Sequence, residues 1–184
     1  MPISYTTSLD RGTIFHHMLA SLLKARRDDI NGSYKDQTLA AVEEGCRLSA
    51  ELGADSSVLS LTIEVFKSYA EEYRYDTWRV LEVEQVVTKT MYEDDELRID
   101  FNGKIDLLAE TSPREGSLIL VVDHKTTSSL YPPQELQNQA MGYCWSLNLT
   151  RATIDQVSLS GKFKRTPFAY QENVIERWAK NAVR

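Results

Sequence analysis

Five consecutive apolar residues, from Leu118 to Val122, constrain the fold of this chain more than any other feature of its sequence. A strand with one face in water alternates apolar and polar residues, whereas an uninterrupted apolar run is typical of a strand covered on both faces. The run therefore predicts a central strand over residues 117–122, in a sheet that is flanked by helices. Charge returns directly after this strand, in Asp123-His124-Lys125.

Helical sequence fills the first third of the chain. Apolar residues recur every three or four positions over 10–24, as they do along one face of an amphipathic helix. Helix-forming residues also cover 35–52 and 58–73, and a breaker that contains Gly53 separates these two segments. We therefore expect a helical part over residues 1–76.

The sequence then changes to strand patterns. A valine-rich segment over 78–90 and a second segment over 97–110 are joined by an acidic turn at 93–96, which predicts a hairpin or meander. After the central strand, we expect a helix that follows Pro132-Pro133 and ends near Leu147.

A strand over 156–163 and a last helix over 172–183 complete the predicted elements. The order strand, helix, strand suits a right-handed parallel crossover. The predicted fold class is α/β, with a central mixed β-sheet and flanking helices over 77–184. We expect residues 1–184 to form a single domain.

Composition limits where such a chain works and what it binds. No apolar run reaches the roughly 18 residues of a membrane helix, and the N-terminus lacks the pattern of a signal peptide, so we expect a cytoplasmic protein without a membrane partner. Cys46 and Cys144 are too few for a four-cysteine iron–sulfur cluster, and we expect both to be buried thiols.

The net charge of −6 argues against nucleic-acid binding by bulk electrostatics. An enzyme that recruits divalent cations nevertheless needs carboxylates, and a bound cation reverses the local field. The distribution of charge therefore decides more than its sum.

Acidic residues beside the central strand supply candidates for chemistry. Asp123 and Lys125 are two apart on a strand, so their side chains share a face. The carboxylate can bind a hard cation, and the ammonium can stabilise the negative charge of a phosphate. Asp106 lies among apolar residues of the preceding strand, where a carboxylate normally has a cation or hydrogen-bond donors nearby. A surface ion pair for Asp123 and Lys125, and a solvent-facing Asp106, are the open alternatives.

Three further groups are candidate site residues. His16 lies on the rim of the first helix, one turn after Gly12, and is either a cleft residue or a partly buried histidine of the core. Gln139 and Tyr143 are four apart on a helix and point the same way, either to bind phosphate or base or to pack. A basic group near the end of the chain either holds a nucleic-acid backbone or is a solvated strand end, and it comprises Lys162, Lys164 and Arg165.

Taken in order, four motifs resemble the signature of RecB-like nucleases in the PD-(D/E)xK superfamily. The motifs are Gly12-Thr13-x-x-His16, Gly103-Lys104-Ile105-Asp106, Asp123-His124-Lys125-Thr126 and Gln139-x-x-x-Tyr143. The resemblance runs from about Gly12 to Lys164 and implies a restriction-endonuclease-like core.

The resemblance also implies roles for these residues. His16, Asp106, Asp123 and the backbone carbonyl of His124 would bind Mg²⁺ or Mn²⁺. Lys125 would position the attacking water, and the Gln139 and Tyr143 pair would lie beside the DNA or the active site. Glu84 resembles an accessory acidic position of some relatives, although an exposed strand glutamate is the alternative.

Departures from the family pattern define the expected subtype. Ala20 stands where many relatives have a glutamate, and the four cluster cysteines are absent, so the chain resembles a cluster-free member. Because little chain precedes the helix of His16, we expect either a minimal stand-alone enzyme of phage type or a shortened form of a longer protein. We expect a DNA exonuclease acting on single-stranded or duplex ends in recombination, repair or phage DNA processing, with recombination or replication proteins as partners. The alternatives are a silent nucleic-acid-binding module of the same fold and a metal-dependent phosphohydrolase of small phosphorylated metabolites.

Overall fold

The computed structural model describes residues 6–112, 114, 116–130 and 137–183. Over these residues the chain forms five helices and a five-stranded mixed sheet, which confirms the predicted α/β class. The helices are α1 (Thr6–Asp28), α2 (Tyr34–Leu52), α3 (Ser56–Glu72), α4 (Gln137–Leu147) and α5 (Glu172–Ala182). The strands are β1 (Arg79–Glu93), β2 (Arg98–Glu110), β3 (Ile119–Thr127), β4 (Arg151–Ser158) and β5 (Phe163–Ala169).

Capping residues fix the boundaries of the N-terminal helices. The side chain of Ser33 accepts a hydrogen bond from the backbone N–H of Asp36 at the start of α2, and Asp55 accepts one from Ser57 at the start of α3. Such caps satisfy amide donors that have no partner inside the helix. Gly53 ends α2 with a φ of 65°, a left-handed conformation that glycine adopts without steric cost.

The strands follow one another in space as they do in sequence, in the order β1-β2-β3-β4-β5. β1 pairs antiparallel with β2, and β2 pairs antiparallel with β3. This confirms the predicted hairpin and places the central strand in the middle of the sheet. The predicted strand over 117–122 is too short, because β3 continues to Thr127 and carries Asp123-His124-Lys125 within it rather than beyond its end.

The predicted strand over 156–163 is wrong. The chain instead forms β4, a turn in which the N–H of Gly161 donates to the carbonyl of Ser158, and then β5. β4 is a buried strand that contains polar residues, including Asp155 and Gln156. These residues interrupt the run of apolar residues that would otherwise mark a buried strand in the sequence. The predicted beginning of α4 after Pro132-Pro133 lies outside the described residues.

The chain divides into two compact units, each with its own apolar cluster. Unit 1 is Met1–Asp76, Lys125–Leu130 and Gln156–Lys164, and unit 2 is Thr77–His124, Tyr131–Asp155 and Arg165–Arg184. In unit 1, α1 packs on α2 and α3, and the ring of Phe15 meets those of Phe66 and Tyr69 edge to face. Such aromatic contacts add to the burial of apolar area.

The apolar cluster of unit 2 lies between α4, α5 and the sheet. α4 packs on β1, β2 and α5, and its buried residues include Tyr143 and Cys144. Burial raises the pKa of the Cys144 thiol to about 12. The other cysteine, Cys46, is exposed on α2, so the expectation of two buried thiols is wrong for that residue.

Candidate active site

Asp106 and Asp123 lie where the pairing of β2 and β3 ends, in unit 2. These strands pair antiparallel from Glu110 with Ile119 to Leu107 with Val122, and Asp106 and Asp123 are the next residue on each strand. Both carboxylates raise the pKa of Tyr143, so the two acids lie near the same side chain. One or two carboxylates of this kind are the protein ligands that Mg²⁺ usually takes.

Asp106 has a backbone hydrogen-bond donor. Its Oδ2 accepts a bond of 2.8 Å from the N–H of His124, while about a fifth of its side chain stays exposed (20%). Asp123, by contrast, is 1% exposed. The alternative of a fully solvent-facing Asp106 does not describe this arrangement, because a main-chain donor holds the carboxylate against β3.

Gln139 and Tyr143 form one hydrogen-bonded chain that ends on the backbone of β2. The side-chain amide of Gln139 donates to the hydroxyl of Tyr143 over 2.6 Å, and that hydroxyl donates to the carbonyl of Lys104 over 2.8 Å. Burial raises the pKa of Tyr143, and the nearby charges of Asp123 and Asp106 raise it further. The phenol therefore stays protonated at neutral pH, next to the two acids.

Gly103 allows Tyr143 to approach the backbone of β2. A Cβ atom added at Gly103 would lie 2.6 Å from Cε1 of Tyr143, well inside van der Waals contact. Packing thus explains why a glycine stands first in the Gly103-Lys104-Ile105-Asp106 motif. It lets the Tyr143 ring lie flush against the strand that carries Asp106.

Glu84 lies opposite Asp106 on the other neighbouring strand. β1 and β2 pair Val83 with Leu107 and Gln85 with Ile105, which leaves Glu84 across from Asp106 in a break of the pairing. The backbone of Glu84 has a φ of 59°, a left-handed conformation that residues other than glycine rarely adopt. The Nζ of Lys104 lies 2.6 Å from the carboxylate of Glu84. Glu84 thus pairs with Lys104, and an accessory role in the site stays a prediction.

A further acid, Asp155, lies near His124 and is not among the predicted site residues. Asp155 is fully buried on β4, and Nε of Arg165 donates to its Oδ2 over 2.7 Å. His124 Nε2 lies 3.8 Å from the same oxygen, and Nδ1 of the same ring lies 3.9 Å from Asp106 Oδ2. An acid among apolar residues in Ala152-Thr153-Ile154-Asp155 is the signal that also singled out Asp106, but the misplaced strand hid it.

The basic group near the end of the chain is not uniform. Lys162 and Lys164 are exposed, the first after the turn and the second on β5. Arg165 is instead 19% exposed, pairs with Asp155, and holds its guanidinium over the ring of Trp78 at 4.7 Å from the centroid. The structure therefore gives Arg165 a partner inside unit 2, while nucleic-acid binding by the three cations stays a prediction.

His16 and Lys125 belong to unit 1. His16 is half-buried on α1 and meets the ring of Phe15 edge to face, and Lys125 is half-buried on β3. A Cβ atom added at Gly12 would lie 2.8 Å from Oγ1 of Thr126, so the predicted close approach at Gly12 is to a side chain. The grouping of His16 and Lys125 with Asp106 and Asp123 in one centre stays a prediction.

A family model described as "PD-(D/E)XK nuclease superfamily" matches residues 2–180 of this chain. The chain belongs to the PD-(D/E)XK nuclease superfamily. Among solved structures, the crystal structure of SSO0001 is similar to this nuclease with a TM-score of 0.44 and 13% identity, over 89% of this chain and 69% of that one. No curated protein matches the sequence.

Membership in this superfamily implies a hydrolase that acts on nucleic acid. Nucleases of the superfamily generally use divalent metal ions such as Mg²⁺. No helix in the described part of this nuclease combines the length and the apolar composition that crossing a bilayer requires.

The donor set of unit 2 fits a hard divalent cation. Among the described residues, no cluster of three or more His, Cys, Asp or Glu side chains is arranged to hold a metal. Mg²⁺ does not require one, because it usually keeps several waters and is bound through one or two carboxylates and the substrate phosphate. Asp106 and Asp123 supply two carboxylates on neighbouring strands, and their all-oxygen chemistry favours Mg²⁺ or Mn²⁺ over softer metals.

Proposed function

We propose that this nuclease hydrolyses phosphodiester bonds of DNA with Mg²⁺ or Mn²⁺ bound at Asp106 and Asp123. The observation that carries the proposal is that Asp106 accepts a bond from the backbone next to Asp123 and that both carboxylates act on Tyr143, in a chain that matches the nuclease superfamily over residues 2–180. A bound divalent cation supplies Lewis acidity toward the scissile phosphate and the attacking water.

Asp106 and Asp123 act as the carboxylate ligands. The N–H of His124 holds the Asp106 carboxylate in a fixed orientation, so that little rearrangement is needed when the cation binds. The backbone carbonyl of His124 and the imidazole of His16 are further ligands in this proposal. Both assignments rest on the family motifs rather than on distances.

Lys125 positions the attacking water and offsets the negative charge that develops on the phosphate. It is two residues after Asp123 on the same strand, so the two side chains leave the strand on one face. A lysine suits this role because its ammonium is a compact point charge.

Gln139 and Tyr143 position β2 and have a secondary role toward substrate. Their polar atoms bond to each other and to the carbonyl of Lys104, which stabilises the strand that carries Asp106. Lys162 and Lys164 are exposed and free to meet a phosphate backbone. We assign Glu84 an accessory acidic role opposite Asp106.

We place this nuclease with the cluster-free RecB-like branch, as an exonuclease of recombination, repair or phage DNA processing. The support is the order of the four motifs along the chain, together with a cysteine count of two. DNA ends are the proposed substrate, and recombination or replication proteins are the proposed partners.

Cleavage assays with matched variants test this function. Labelled single-stranded and duplex DNA would be incubated with Mg²⁺, Mn²⁺ or EDTA, beside nucleotides and sugar phosphates. We expect metal-dependent DNA cleavage that disappears in Asp123→Asn and falls by about 100-fold or more in Lys125→Ala. Asp100→Asn is the matched control, since Asp100 is another strand aspartate, on β2, and its partner is Arg98.

Three results would contradict the proposal. Cleavage that persists in Asp123→Asn would exclude the assigned site. Hydrolysis of small phosphorylated metabolites with no action on DNA would favour a phosphohydrolase, and DNA binding without any hydrolysis would favour a silent binding module.

A further inference from the structure

The buried acid Asp155 has no role in the function proposed above. It is completely buried on β4, where an ionised carboxylate costs several kcal/mol unless it is paired. Arg165 supplies that pairing through its Nε, and the Trp78 ring covers the guanidinium. A hydrophobic residue would fill the same space without this cost, so the presence of the pair calls for an explanation.

The imidazole of His124 links Asp155 to the candidate metal ligands. Its Nε2 lies 3.8 Å from Asp155 Oδ2 and its Nδ1 lies 3.9 Å from Asp106 Oδ2, so the ring stands between a carboxylate of the site and a carboxylate behind it. The ring is 2% exposed, which leaves it no solvent to turn into. Its position is therefore set by the groups around it.

His124 reaches Asp106 in two ways. Its backbone N–H donates to Asp106 Oδ2 over 2.8 Å, and its ring lies against the same oxygen. The ring can turn about its own side-chain bonds without moving this N–H, so it acts on Asp106 through its own position beside Oδ2. A group that fixes the His124 ring thus keeps the imidazole beside the Asp106 carboxylate.

We propose that Asp155 is a positioning residue, which holds the His124 imidazole beside Asp106 Oδ2 and so helps to keep this carboxylate oriented for a divalent cation. Arg165 fixes Asp155 in turn, so the ordered series runs from Arg165 through Asp155 and His124 to Asp106. This inference rests on the proposed function insofar as Asp106 binds the cation. Partners of this kind, behind the ligands, typically change metal affinity or activity by about 10–100-fold when they are removed.

The test compares Asp155→Asn with the double variant Asp155→Asn/Arg165→Gln. The single variant keeps the size of the side chain but leaves Arg165 without its carboxylate, and this can prevent folding. The double variant removes both charges and so avoids a stranded buried cation. Asp100→Asn again serves as the control, since it breaks an aspartate–arginine pair on β2 that does not involve His124.

Two readouts separate positioning from a merely structural role. The first is the Mn²⁺ dissociation constant, from the electron paramagnetic resonance signal of free Mn²⁺. We expect Asp155→Asn and the double variant to bind Mn²⁺ about 10-fold more weakly or worse, and Asp100→Asn to bind as the wild type does. The second is hydrogen exchange of the His124 amide in the metal-free protein, which we expect to be faster in both Asp155 variants than their loss of global stability explains.

Distinct results overturn the inference and the proposed function. Unchanged Mn²⁺ affinity in a folded Asp155 variant, with Asp106→Asn abolishing binding, would overturn the positioning role alone. If Asp106→Asn binds Mn²⁺ as tightly as the wild type does, the proposed function fails. The amide exchange of His124 then still tests the positioning role. Exchange that tracks global stability would then reject it.

Discussion

Replacing Gly103 by alanine would test most sharply the contact between β2 and the Tyr143 ring of α4. The new methyl group would lie 2.6 Å from Cε1 and 3.3 Å from Cδ1 of Tyr143. In an open strand, alanine is favoured over glycine by about 0.5–1 kcal/mol. Overpacking against a buried ring typically costs about 1–3 kcal/mol, and a displaced Tyr143 would also lose a hydrogen bond worth about 0.5–1.5 kcal/mol.

The steric term is therefore larger than the gain in strand propensity. We expect Gly103→Ala to lower the free energy of unfolding by about 1–3 kcal/mol. Tyr143 cannot easily move away, because it is 3% exposed and its hydroxyl is held between Gln139 and the carbonyl of Lys104. Nuclease activity should also fall, because β2 carries Asp106.

A double-mutant cycle in urea unfolding identifies the cause. In a Tyr143→Leu background the ring carbons are gone, and Gly103→Ala should have almost no effect or stabilise slightly. In the matched Tyr143→Phe background the ring remains but the hydroxyl is gone, so the steric part of the cost should remain. Equal costs of Gly103→Ala in the leucine and phenylalanine backgrounds would refute the packing argument.

Two further predictions concern thiol chemistry and backbone strain. At pH 8, an alkylating reagent should modify Cys46 and leave Cys144 intact until the protein unfolds, because a thiol with a pKa of about 12 is ionised in roughly one molecule in ten thousand. Mass spectrometry of tryptic peptides would show it, and equal labelling of both would contradict the burial. A left-handed backbone costs a residue with a Cβ atom about 1 kcal/mol, so Glu84→Gly should remove this cost and raise the melting temperature. Glu82→Gly, nearby on the same strand, should lower the melting temperature, because it weakens the strand without relieving any strain. A similar fall in both variants would show that Glu84 carries no strain.

Much of the fold follows from local patterns in the sequence. The amphipathic spacing around Ile14 and Met18 predicts α1, and the apolar run before Asp123 predicts the middle strand. Both patterns depend only on which faces of one element are covered. The predicted position of β4 is wrong because Thr153, Asp155 and Gln156 are polar and yet buried. Hydrophobic periodicity predicts that polar residues are exposed, so it does not detect such a strand.

The site was predictable only where motifs mark it. Asp106 and Asp123 stand out as acids beside apolar residues, and their positions at the end of the β2–β3 pairing follow once the hairpin and the central strand are placed. The left-handed backbone of Glu84 and the link from Arg165 to His124 depend on partners distant in sequence. No local pattern contains that information, since such pairs become neighbours only in the folded chain.

The position of Mn²⁺ in crystals soaked with the ion, from its anomalous scattering, tests the central claim most directly. The account predicts a peak within coordination distance of carboxylate oxygens of both Asp106 and Asp123, and its loss in Asp123→Asn. A peak bound elsewhere, or none at concentrations that support DNA cleavage, would contradict the assignment of these two carboxylates as the metal site.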